Sequence, residues 1–551
     1  MAKVVLGLDF GTLSGRALVA DTAGRELACA EMPYPHGVMD EVLPCGRRLP
    51  PDFALQHPGD YLLVLETIVK EAVQKSGVRK EDVIGIGLDF TSSTVLPVNR
   101  EGIPLCLTPG FEEEPHAYVK LWKHHAAAPY AAKMERVAKE RGENWLTRYG
   151  GKISSEWLFP KLFETLDLAP RVYQEMAHFM EAGDWLVYQL TGALSQNACM
   201  AGYKAFYDPD AGFPDRAYFA ACDSRLENAV KEKLSSPVFT QGQRAGGLTR
   251  EYAEKLGLMP GIAVAAANVD AHVCLPSVKI TQPHQMLMIM GTSTCHLMLD
   301  SRDSAVPGIC GSVREGILPG FYGLEAGQSC VGDLFHWFVN TCVPEGYTTE
   351  AKKQGLSIHE YLQTLSQDQS PGEHGLIALD WWNGNRSILV DPELTGLLIG
   401  QTLLTRPEDI YRALIEATAF GSLKIIENYR ENGVRVDEVR LAGGIAEKSP
   451  FVVQLYADVL GLPLRLSGSA QGPALGSAMF AAVAAGEAAG GFQDIHQAAE
   501  NMGSLKDEVV LPDPERHAVY QRMYALYEEL HDHFGRQNDL MKRLRGIKAG
   551  K

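Results

Sequence analysis

The sequence lacks the features that direct a chain to membranes or nucleic acid. Its longest stretch of small apolar residues, 473–486, is too short to span a bilayer and is dominated by alanine and glycine, which suits a closely packed helix. Basic residues are in deficit, with 51 Lys and Arg against 68 Asp and Glu and a net charge of −17. Because this charge repels a phosphodiester backbone, we expect no nucleic-acid partner and no membrane partner.

Paired cysteines are also lacking. The ten cysteines are scattered and none forms a C-x-x-C motif, so we expect reduced thiols. At the N-terminus, Asp9 interrupts the apolar stretch that follows Lys3, which argues against a signal-peptide core. We therefore expect a cytoplasmic protein.

Low-complexity tracts and long charge blocks are absent as well. With 46% hydrophobic and 22% charged residues, the composition is that of an ordinary globular protein. A chain of 551 residues is longer than a single hydrophobic core normally serves, so the sequence predicts at least two domains.

The most informative stretch is residues 4–21, where an apolar run, a glycine-containing polar turn and a second apolar run predict a β-hairpin. Its tip carries Asp9, Thr12, Ser14 and Arg16, on a bend where backbone N–H groups are also free. One carboxylate, two hydroxyls and one guanidinium suit a metal-bound polyphosphate. An ordinary polar turn explains the tip equally well when the stretch is considered alone.

A second copy of the pattern occurs at residues 286–299, with Gly291, Thr292 and Ser293 at its tip. A duplicated phosphate hairpin resembles the actin-like ATPase superfamily. The resemblance implies two α/β, ribonuclease H-like lobes that face each other across a nucleotide and substrate cleft. We expect an N-terminal lobe over 1–280, a C-terminal lobe over 281–505 and a helical tail over 506–551.

Polar groups follow several predicted strands. Asp270 comes just after the apolar run 261–269, where it serves either as a helix cap or as a catalytic base. Glu325 lies between glycines at an expected strand end. Another predicted strand ends in two glycines, Gly443 and Gly444, which have no side chains. A strand end of that kind lets an adenine or ribose approach the backbone.

Other polar residues have plain structural interpretations. The histidines at 116, 124 and 125 are expected to be packing or surface residues in a helix rather than metal ligands. From its residue type alone, Lys204 is an ordinary surface lysine. The turn at 379–387 is kept out of the predicted catalytic set, and the apolar stripe of the tail helix is either a docking face or a dimer contact.

With both hairpins, the Asn-Val-Asp strand end (268–270) and the Gly-Gly-Ile-Ala segment (443–446), the chain resembles the FGGY family of carbohydrate kinases over almost its whole length. Segments 89–94, 117–125 and 201–205 are similar to those of the ribulokinase branch. The resemblance implies transfer of the γ-phosphoryl group of ATP to the 5-hydroxyl of a ketopentose, L-ribulose, in arabinose catabolism.

The resemblance also implies a role for each candidate residue. Asp270 is the expected general base and contacts the sugar, while Asp9 holds Mg²⁺ largely through water. The position equivalent to Asp9 in the second hairpin is Ile289, so only the first hairpin has a metal ligand. The expected phosphate contacts are Thr12, Ser14, Arg16, Gly291, Thr292 and Ser293, the nucleoside contacts are Gly443 and Gly444, and the sugar contacts are Ser92, Lys204 and Glu325.

Two alternatives remain. One is another sugar kinase of the same family, such as a xylulokinase, against which the segment Tyr203-Lys204-Ala205 argues. The other is an actin-like ATPase switch without a small-molecule acceptor, although a chaperone of that kind would carry a peptide-binding domain after the second lobe. We also expect a homodimer.

Overall fold

Two seven-stranded sheets carry the fold of the computed structural model, which describes residues 3–548. The strands are, in chain order, β1 (Val4–Phe10), β2 (Ser14–Asp21), β3 (Glu26–Pro33), β4 (Leu55–Gln56), β5 (Val83–Phe90), β6 (Val95–Val98), β7 (Val119–Lys120), β8 (His178–Glu181), β9 (Gln196–Asn197), β10 (Val238–Phe239), β11 (Arg244–Gly247), β12 (Ala263–Ala265), β13 (Asn268–Val269), β14 (Gln285–Met290), β15 (Thr294–Asp300), β16 (Gly311–Arg314), β17 (Tyr322–Gln328), β18 (Ile377–Leu379), β19 (Leu397–Ile399), β20 (Glu438–Ala442), β21 (Leu464–Ser467) and β22 (Leu505–Val510).

Helices cover the two sheets and fill the connections between strands. They are α1 (Pro58–Ser76), α2 (Ala128–Arg141), α3 (Leu158–Leu168), α4 (Pro170–Glu175), α5 (Ala182–Thr191), α6 (Ala198–Ala205), α7 (Arg216–Cys222), α8 (Ala229–Lys233), α9 (Arg250–Leu256), α10 (Cys274–Ser277), α11 (Gly332–Thr341), α12 (Glu345–Lys353), α13 (Ile358–Ser366), α14 (Pro407–Glu431), α15 (Gly444–Lys448), α16 (Pro450–Leu460), α17 (Gly472–Ala485), α18 (Ile495–Met502), α19 (Pro514–Asp532) and α20 (Leu540–Lys548).

The first sheet has the order β11-β12-β5-β1-β2-β3, with β13 also paired to β5. The predicted hairpin is present: β1 pairs with β2 antiparallel, and Asp9 lies opposite Arg16. On its other side, β1 runs parallel to β5, with Asp9 beside Asp89. Strand β1 is buried along its full length because helices pack on both faces of the sheet.

The second sheet has the order β16-β17-β15-β14-β20-β21-β22. It repeats the arrangement of the first sheet around its own hairpin, since β14 pairs antiparallel with β15 and parallel with β20. The two predicted hairpins therefore occupy equivalent positions in two similar sheets, as a duplicated fold requires.

Helix α17, the helix of small residues, packs against β1 and β5 of the first sheet. A Cβ at Gly7 would lie 1.7 Å from the carbonyl oxygen of Ala474, and one at Gly87 would lie 2.1 Å from that of Ser477. The approach of this helix therefore requires glycine in both strands.

The C-terminal segment docks on its own chain. Strand β22 joins the edge of the second sheet beside β21, so residues 506–551 begin with a strand and not with a helix. Helix α19 then buries Tyr520, Met523 and Tyr527 against α14 and α16, while Leu526 of the same apolar stripe stays exposed. The stripe is a docking face.

Two smaller expectations differ from the structure. Segment 111–125 contains a short 3₁₀ turn and strand β7 instead of a helix. The apolar run 261–269 is divided into β12 and β13. Within residues 3–548, no helix is long and apolar enough to cross a membrane.

Candidate active site

Three aspartates meet at one edge of the first sheet. Asp9 ends β1, Asp89 ends β5 beside it, and Asp270 follows β13, where its N–H donates to the carbonyl oxygen of Phe90 at 3.1 Å. Because the carboxyl ends of parallel strands lie at the same edge, the sheet itself brings these side chains together. The structure thus groups the predicted Asp9 and Asp270 and adds Asp89, which has no predicted role.

Asp9 is held by the guanidinium of the neighbouring strand. Arg16 Nη1 lies 3.2 Å from Asp9 Oδ2, and Arg16 Nη2 lies 3.3 Å from Glu31 Oε1. Ser14 Oγ donates to the same Glu31 oxygen at 2.7 Å. Burial raises the pKa of Asp9, and Arg16 opposes that rise. The first hairpin therefore presents one nearly buried carboxylate and one arginine fixed between two acidic groups.

Asp89 is wholly buried behind Asp9. Its Oδ2 accepts a hydrogen bond from Ser477 Oγ of α17 at 2.6 Å, whereas Oδ1 has no partner among the described residues. Burial raises the pKa of Asp89 well above its ordinary value, and the negative charges of Asp9 and Asp270 raise it further. These surroundings disfavour the ionised form of Asp89.

Asp270 has the properties of a proton acceptor near neutrality. It is partly exposed, and its Oδ1 accepts the N–H of Ala271 at 2.7 Å. Burial and the neighbouring Asp9 raise the pKa of Asp270 to about 7, while Lys204 opposes the rise. A carboxylate with that pKa exchanges a proton readily at physiological pH.

The tip of the first hairpin has an open backbone. Trp122 Nε1 donates to Thr12 Oγ1 at 3.0 Å, and Gln56 Nε2 donates to the Thr12 carbonyl at 2.8 Å. Within residues 3–548, the N–H groups of Thr12 and Leu13 donate to no protein atom. Free N–H groups on a bend form a concavity that suits an anion.

The tip of the second hairpin is held against the start of α11. The Gly332 N–H donates to the Gly291 carbonyl at 3.0 Å, and Val331 and Asp333 donate to the Thr292 carbonyl. A Cβ at Gly332 would lie 2.6 Å from the Gly291 oxygen, so only glycine permits this approach. The positive end of α11 consequently lies beside the predicted phosphate residues Gly291, Thr292 and Ser293.

Gly443 and Gly444 lie next to this second tip. Strand β20, which they end, is parallel to β14. Gly443 has φ +93°, and a Cβ there would lie 2.5 Å from the Met290 carbonyl oxygen, whereas a Cβ at Gly444 would meet nothing within 4 Å. The backbone at Gly444, at the start of α15, is therefore accessible, as contact with a nucleoside requires.

A buried lysine of helix α6 and a buried glutamate of the second sheet form an ion pair. Lys204 of α6 and Glu325 of β17 are 6% and 5% exposed, and Lys204 Nζ lies 3.5 Å from Glu325 Oε2. Lys204 is therefore not a surface lysine, and Glu325 lies in the middle of its strand instead of at the end. The remaining sugar candidate, Ser92, is partly exposed in the turn 91–94 and makes no side-chain hydrogen bond among the described residues.

Two further side chains converge on Glu325. His272 Nε2 lies 3.3 Å from Oε2, and Arg386 Nη2 donates to Oε1 at 3.0 Å. Burial opposes the ionisation of Glu325, but Lys204, His272 and Arg386 together hold its pKa well below its usual range. Sequence reasoning missed both residues. His272 follows the Asn-Val-Asp strand end, and Arg386 lies in the turn 379–387, which was kept out of the predicted catalytic set.

The histidines of segment 111–125 have structural surroundings. His124 is fully buried, with Nε2 3.0 Å from Glu164 Oε2. Lys120 Nζ lies 2.6 Å from the same carboxylate. Burial lowers the pKa of His124 to about 4 and that of His116 to about 3. Both rings are therefore neutral, and this segment supports the turn that carries Trp122.

Comparison with known proteins agrees with this arrangement. Residues 4–275 match the N-terminal domain of the FGGY family of carbohydrate kinases, and residues 286–485 match its C-terminal domain. The chain belongs to this FGGY family. As an FGGY kinase, it has the two-lobed α/β fold that the duplicated hairpins predicted.

Curated relatives of this FGGY kinase extend over nearly its full length. A ribulokinase from Geobacillus thermodenitrificans is 52% identical over 545 residues, covering 98% of this chain and 97% of the relative. A ribulokinase from Mycolicibacterium smegmatis is 48% identical over 550 residues, with 99% and 97% coverage.

Solved structures of FGGY kinases share the fold. A xylulose kinase from Rhodospirillum rubrum has a TM-score of 0.78 at 21% identity, over 97% of this chain and all of the other. Plasmodium falciparum glycerol kinase with ADP has a TM-score of 0.72 at 15% identity, over 96% and 98%. At these identities the likeness concerns the fold alone.

Proposed function

We propose that this FGGY kinase transfers the γ-phosphoryl group of ATP to the 5-hydroxyl of L-ribulose, giving L-ribulose 5-phosphate and ADP in arabinose catabolism. Full-length relatives named ribulokinase support the choice of sugar. The observation that carries the proposal is the position of Asp270, a proton acceptor with a pKa of about 7, between the phosphate hairpin and the Lys204–Glu325 pair.

Asp270 acts as the general base of the reaction. Its carboxylate accepts the proton of the 5-hydroxyl while that oxygen forms a bond to the γ-phosphorus, and the bond from this phosphorus to the β-γ bridging oxygen breaks. ADP leaves with the electron pair of that bond. Positioned base catalysis contributes on the order of 10²–10⁴ in rate.

Two backbone cradles position ATP. In this proposal, the free N–H group of Thr12, the hydroxyl of Ser14 and the guanidinium of Arg16 contact the γ-phosphate. Gly291, Thr292 and Ser293 contact the phosphates from the opposite side, and Gly443 and Gly444 contact the nucleoside. Phosphoryl transfer depends mainly on positioning and charge neutralisation, which these groups provide.

Asp9 is proposed to hold Mg²⁺, largely through water. The residues fit a hard cation, because Asp9 offers a carboxylate at the cleft and the orphaned Oδ1 of buried Asp89 adds an oxygen behind it. When bound, Mg²⁺ supplies positive charge to the phosphate oxygens. Arg16 keeps the Asp9 carboxylate oriented and partly offsets its charge.

The sugar is proposed to bind on the other side of Asp270. Lys204 donates to hydroxyl oxygens, Glu325 accepts from hydroxyl groups, and the backbone near Ser92 closes the site. The low pKa of Glu325 keeps it an acceptor across the physiological range.

A coupled ADP-release assay over a panel of ketopentoses tests the proposal, with direct detection of the sugar phosphate. We expect L-ribulose to give the highest kcat/KM, with product phosphorylated at the 5-position. Preference for D-xylulose would assign the chain to the xylulokinase alternative. ADP release without any sugar phosphate would indicate an ATPase switch.

The organisation of the chain and its assembly also remain proposals. We propose lobes over 1–280 and 281–505 followed by the segment 506–551, and a homodimer. The ten unpaired thiols and the use of ATP support a cytoplasmic location. Light scattering at several concentrations measures the mass of the particle, and a value of 60.2 kDa would contradict the dimer.

A further inference from the structure

Arg386 approaches the sugar site from a loop that is fixed to strand β17. Ser387 Oγ accepts the N–H of Gly327 at 3.2 Å, and Ser329 Oγ donates to the carbonyl of Gly384 at 3.0 Å. The loop is closed on itself by two backbone hydrogen bonds between Asn385 and Asp391. The backbone that carries Arg386 is therefore held at a defined distance from Glu325.

The arginine side chain lies along the face of β17. A Cβ at Gly327 would lie 3.5 Å from both Cδ and Nη1 of Arg386, so the side chain passes directly over this glycine. Two residues earlier on the same face is Glu325, whose Oε1 accepts from Arg386 Nη2 at 3.0 Å. Alternate residues of a strand share one face, which explains why the arginine reaches both positions.

Most of the donor capacity of Arg386 is unused. A guanidinium has five N–H donors, but within residues 3–548 only Nη2 makes a hydrogen bond. The side chain is 36% exposed, in contrast to 8% for Lys204 and 6% for Glu325. Its remaining donors thus lie beside the two predicted sugar contacts without a hydrogen-bond partner among the described residues.

Two cations, Lys204 and Arg386, flank the Glu325 carboxylate. Glu156 also interacts electrostatically with both of them. The second cation, with free planar donors, suits oxygen-rich ligands that accept hydrogen bonds.

We infer that Arg386 is a substrate-binding residue that, with Glu325, recognises two adjacent hydroxyl groups of the ketose. The guanidinium donates from Nε or Nη1 to one hydroxyl oxygen, and Glu325 accepts from the neighbouring hydroxyl. The pair thereby distinguishes ketoses by the relative orientation of those two groups. This inference rests on the proposed function and adds a determinant of sugar specificity to it.

Two substitutions separate binding from positioning. Arg386→Ala removes every donor, and we expect sugar affinity to fall about 10- to 100-fold, as loss of charge-assisted hydrogen bonds predicts. Arg386→Lys keeps a cation beside Glu325 but loses the planar second donor, and we expect a loss of at least about 5-fold. The matched control is Arg302→Ala, because Arg302 is exposed and its side chain donates only to the Gly433 carbonyl among the described residues.

The measurement is calorimetric titration of L-ribulose into the ATP-free protein, followed by KM and kcat for both substrates. We expect the KM of ATP to stay within about 2-fold in all three variants. Wild-type affinity in Arg386→Lys would show that Arg386 only compensates the charge of Glu325, and would overturn the contact. Since the lysine variant retains the ion pair, it keeps the test valid if Arg386→Ala fails to fold.

Deoxy analogues locate the contact on the sugar. For 3-deoxy- and 4-deoxyribulose, we expect one analogue to bind wild type and Arg386→Ala equally, because the missing hydroxyl is the one that the guanidinium holds. If Arg386→Ala lowers the affinity for L-ribulose and for both deoxy analogues by the same factor, the inference is wrong. If wild type phosphorylates another ketose faster than L-ribulose, the proposed substrate is wrong, and the same variants test Arg386 on that ketose.

Discussion

At the residue scale, the carboxylates of the site differ in pKa because their surroundings differ. Burial beside two other aspartates raises the pKa of Asp89, while the cations around buried Glu325 hold its pKa well below its usual range. Asp270 lies between these extremes, with a pKa of about 7. A set of acidic groups with separated pKa values allows one of them to exchange a proton while the others keep fixed roles.

Replacing Asp270 by asparagine tests its role as base. We expect Asp270→Asn to lower kcat by two or more orders of magnitude with a nearly unchanged affinity for ATP, because the amide preserves the shape but cannot accept the proton. Single-turnover kinetics and nucleotide titration measure the two quantities. Near-wild-type turnover would remove Asp270 from this role.

The pH dependence follows from the same residue. Asp270 must be ionised to accept a proton, so kcat/KM should rise with pH up to about 7 and fall about tenfold per pH unit below it. In Asp270→Asn, the residual kcat/KM should no longer fall in this way as the pH decreases below 7. A wild-type profile that stays flat down to pH 5 would contradict the assignment.

At the element scale, the sheets are held by contacts that only specific residues permit. Helix α17 packs against β1 and β5 because Gly7, Gly85 and Gly87 leave no side chain in its path. On the other side of the site, β7 and α3 are joined by Lys120 and Glu164, which are both fully buried. These two contacts stabilise the elements that end in Asp9, Asp89 and the turn with Trp122.

Gly87→Ala should disrupt the packing of α17 against β5. The added Cβ would lie 2.1 Å from the Ser477 carbonyl, so strand or helix backbone must move, at a cost of about 3 kcal/mol or more. The control is Gly346→Ala in α12, where the Cβ meets nothing within 4 Å and stability should be unchanged or slightly higher. Urea unfolding of both variants provides the comparison, and equal midpoints would refute the packing argument.

Lys120→Met should destabilise the fold by about 3–5 kcal/mol, because it leaves the Glu164 carboxylate buried without its main cation. The matched control is Lys139→Met in α2, whose exposed pair with Glu135 contributes about 0–1 kcal/mol. Despite burial, Lys120 and His124 hold the pKa of Glu164 well below 4.5, so this contribution is present above pH 4.5 and is lost as the pH falls further. Acid titration of the unfolding midpoint should show a smaller loss in Lys120→Met than in wild type.

At the scale of the whole molecule, the proposed sugar site combines side chains of α6 and of the segment after β13 with side chains of the second sheet. Lys204 reaches Glu325, and the ring of Tyr203 stacks on His272 with centroids 4.3 Å apart while also touching the β16–β17 region. The proposed phosphate contacts are likewise divided between the two hairpins. Relative movement of the two lobes would therefore change sugar and nucleotide contacts together.

We expect the lobes to close further when both substrates are bound, since water left between them would compete as phosphoryl acceptor. Small-angle scattering with L-ribulose and a non-hydrolysable ATP analogue should give a smaller radius of gyration than the free protein. The Asp270→Asn variant, which we expect to bind both substrates, allows the same measurement with ATP itself. Superimposable profiles with and without ligands would argue against closure.

The sequence by itself determined the two hairpins, the strand ends at Asp270 and Gly443, and the family. These are local patterns of apolar runs and turn residues, and they occur in an order that few folds share. Only the tertiary structure decided that α17 packs on the first sheet, that Asp89 lies buried behind Asp9, and that Arg386 reaches Glu325. Those contacts join residues far apart in the chain, such as Gly7 with Ala474 and Asp89 with Ser477. Their chemistry depends on burial and neighbouring charge, which no local pattern records.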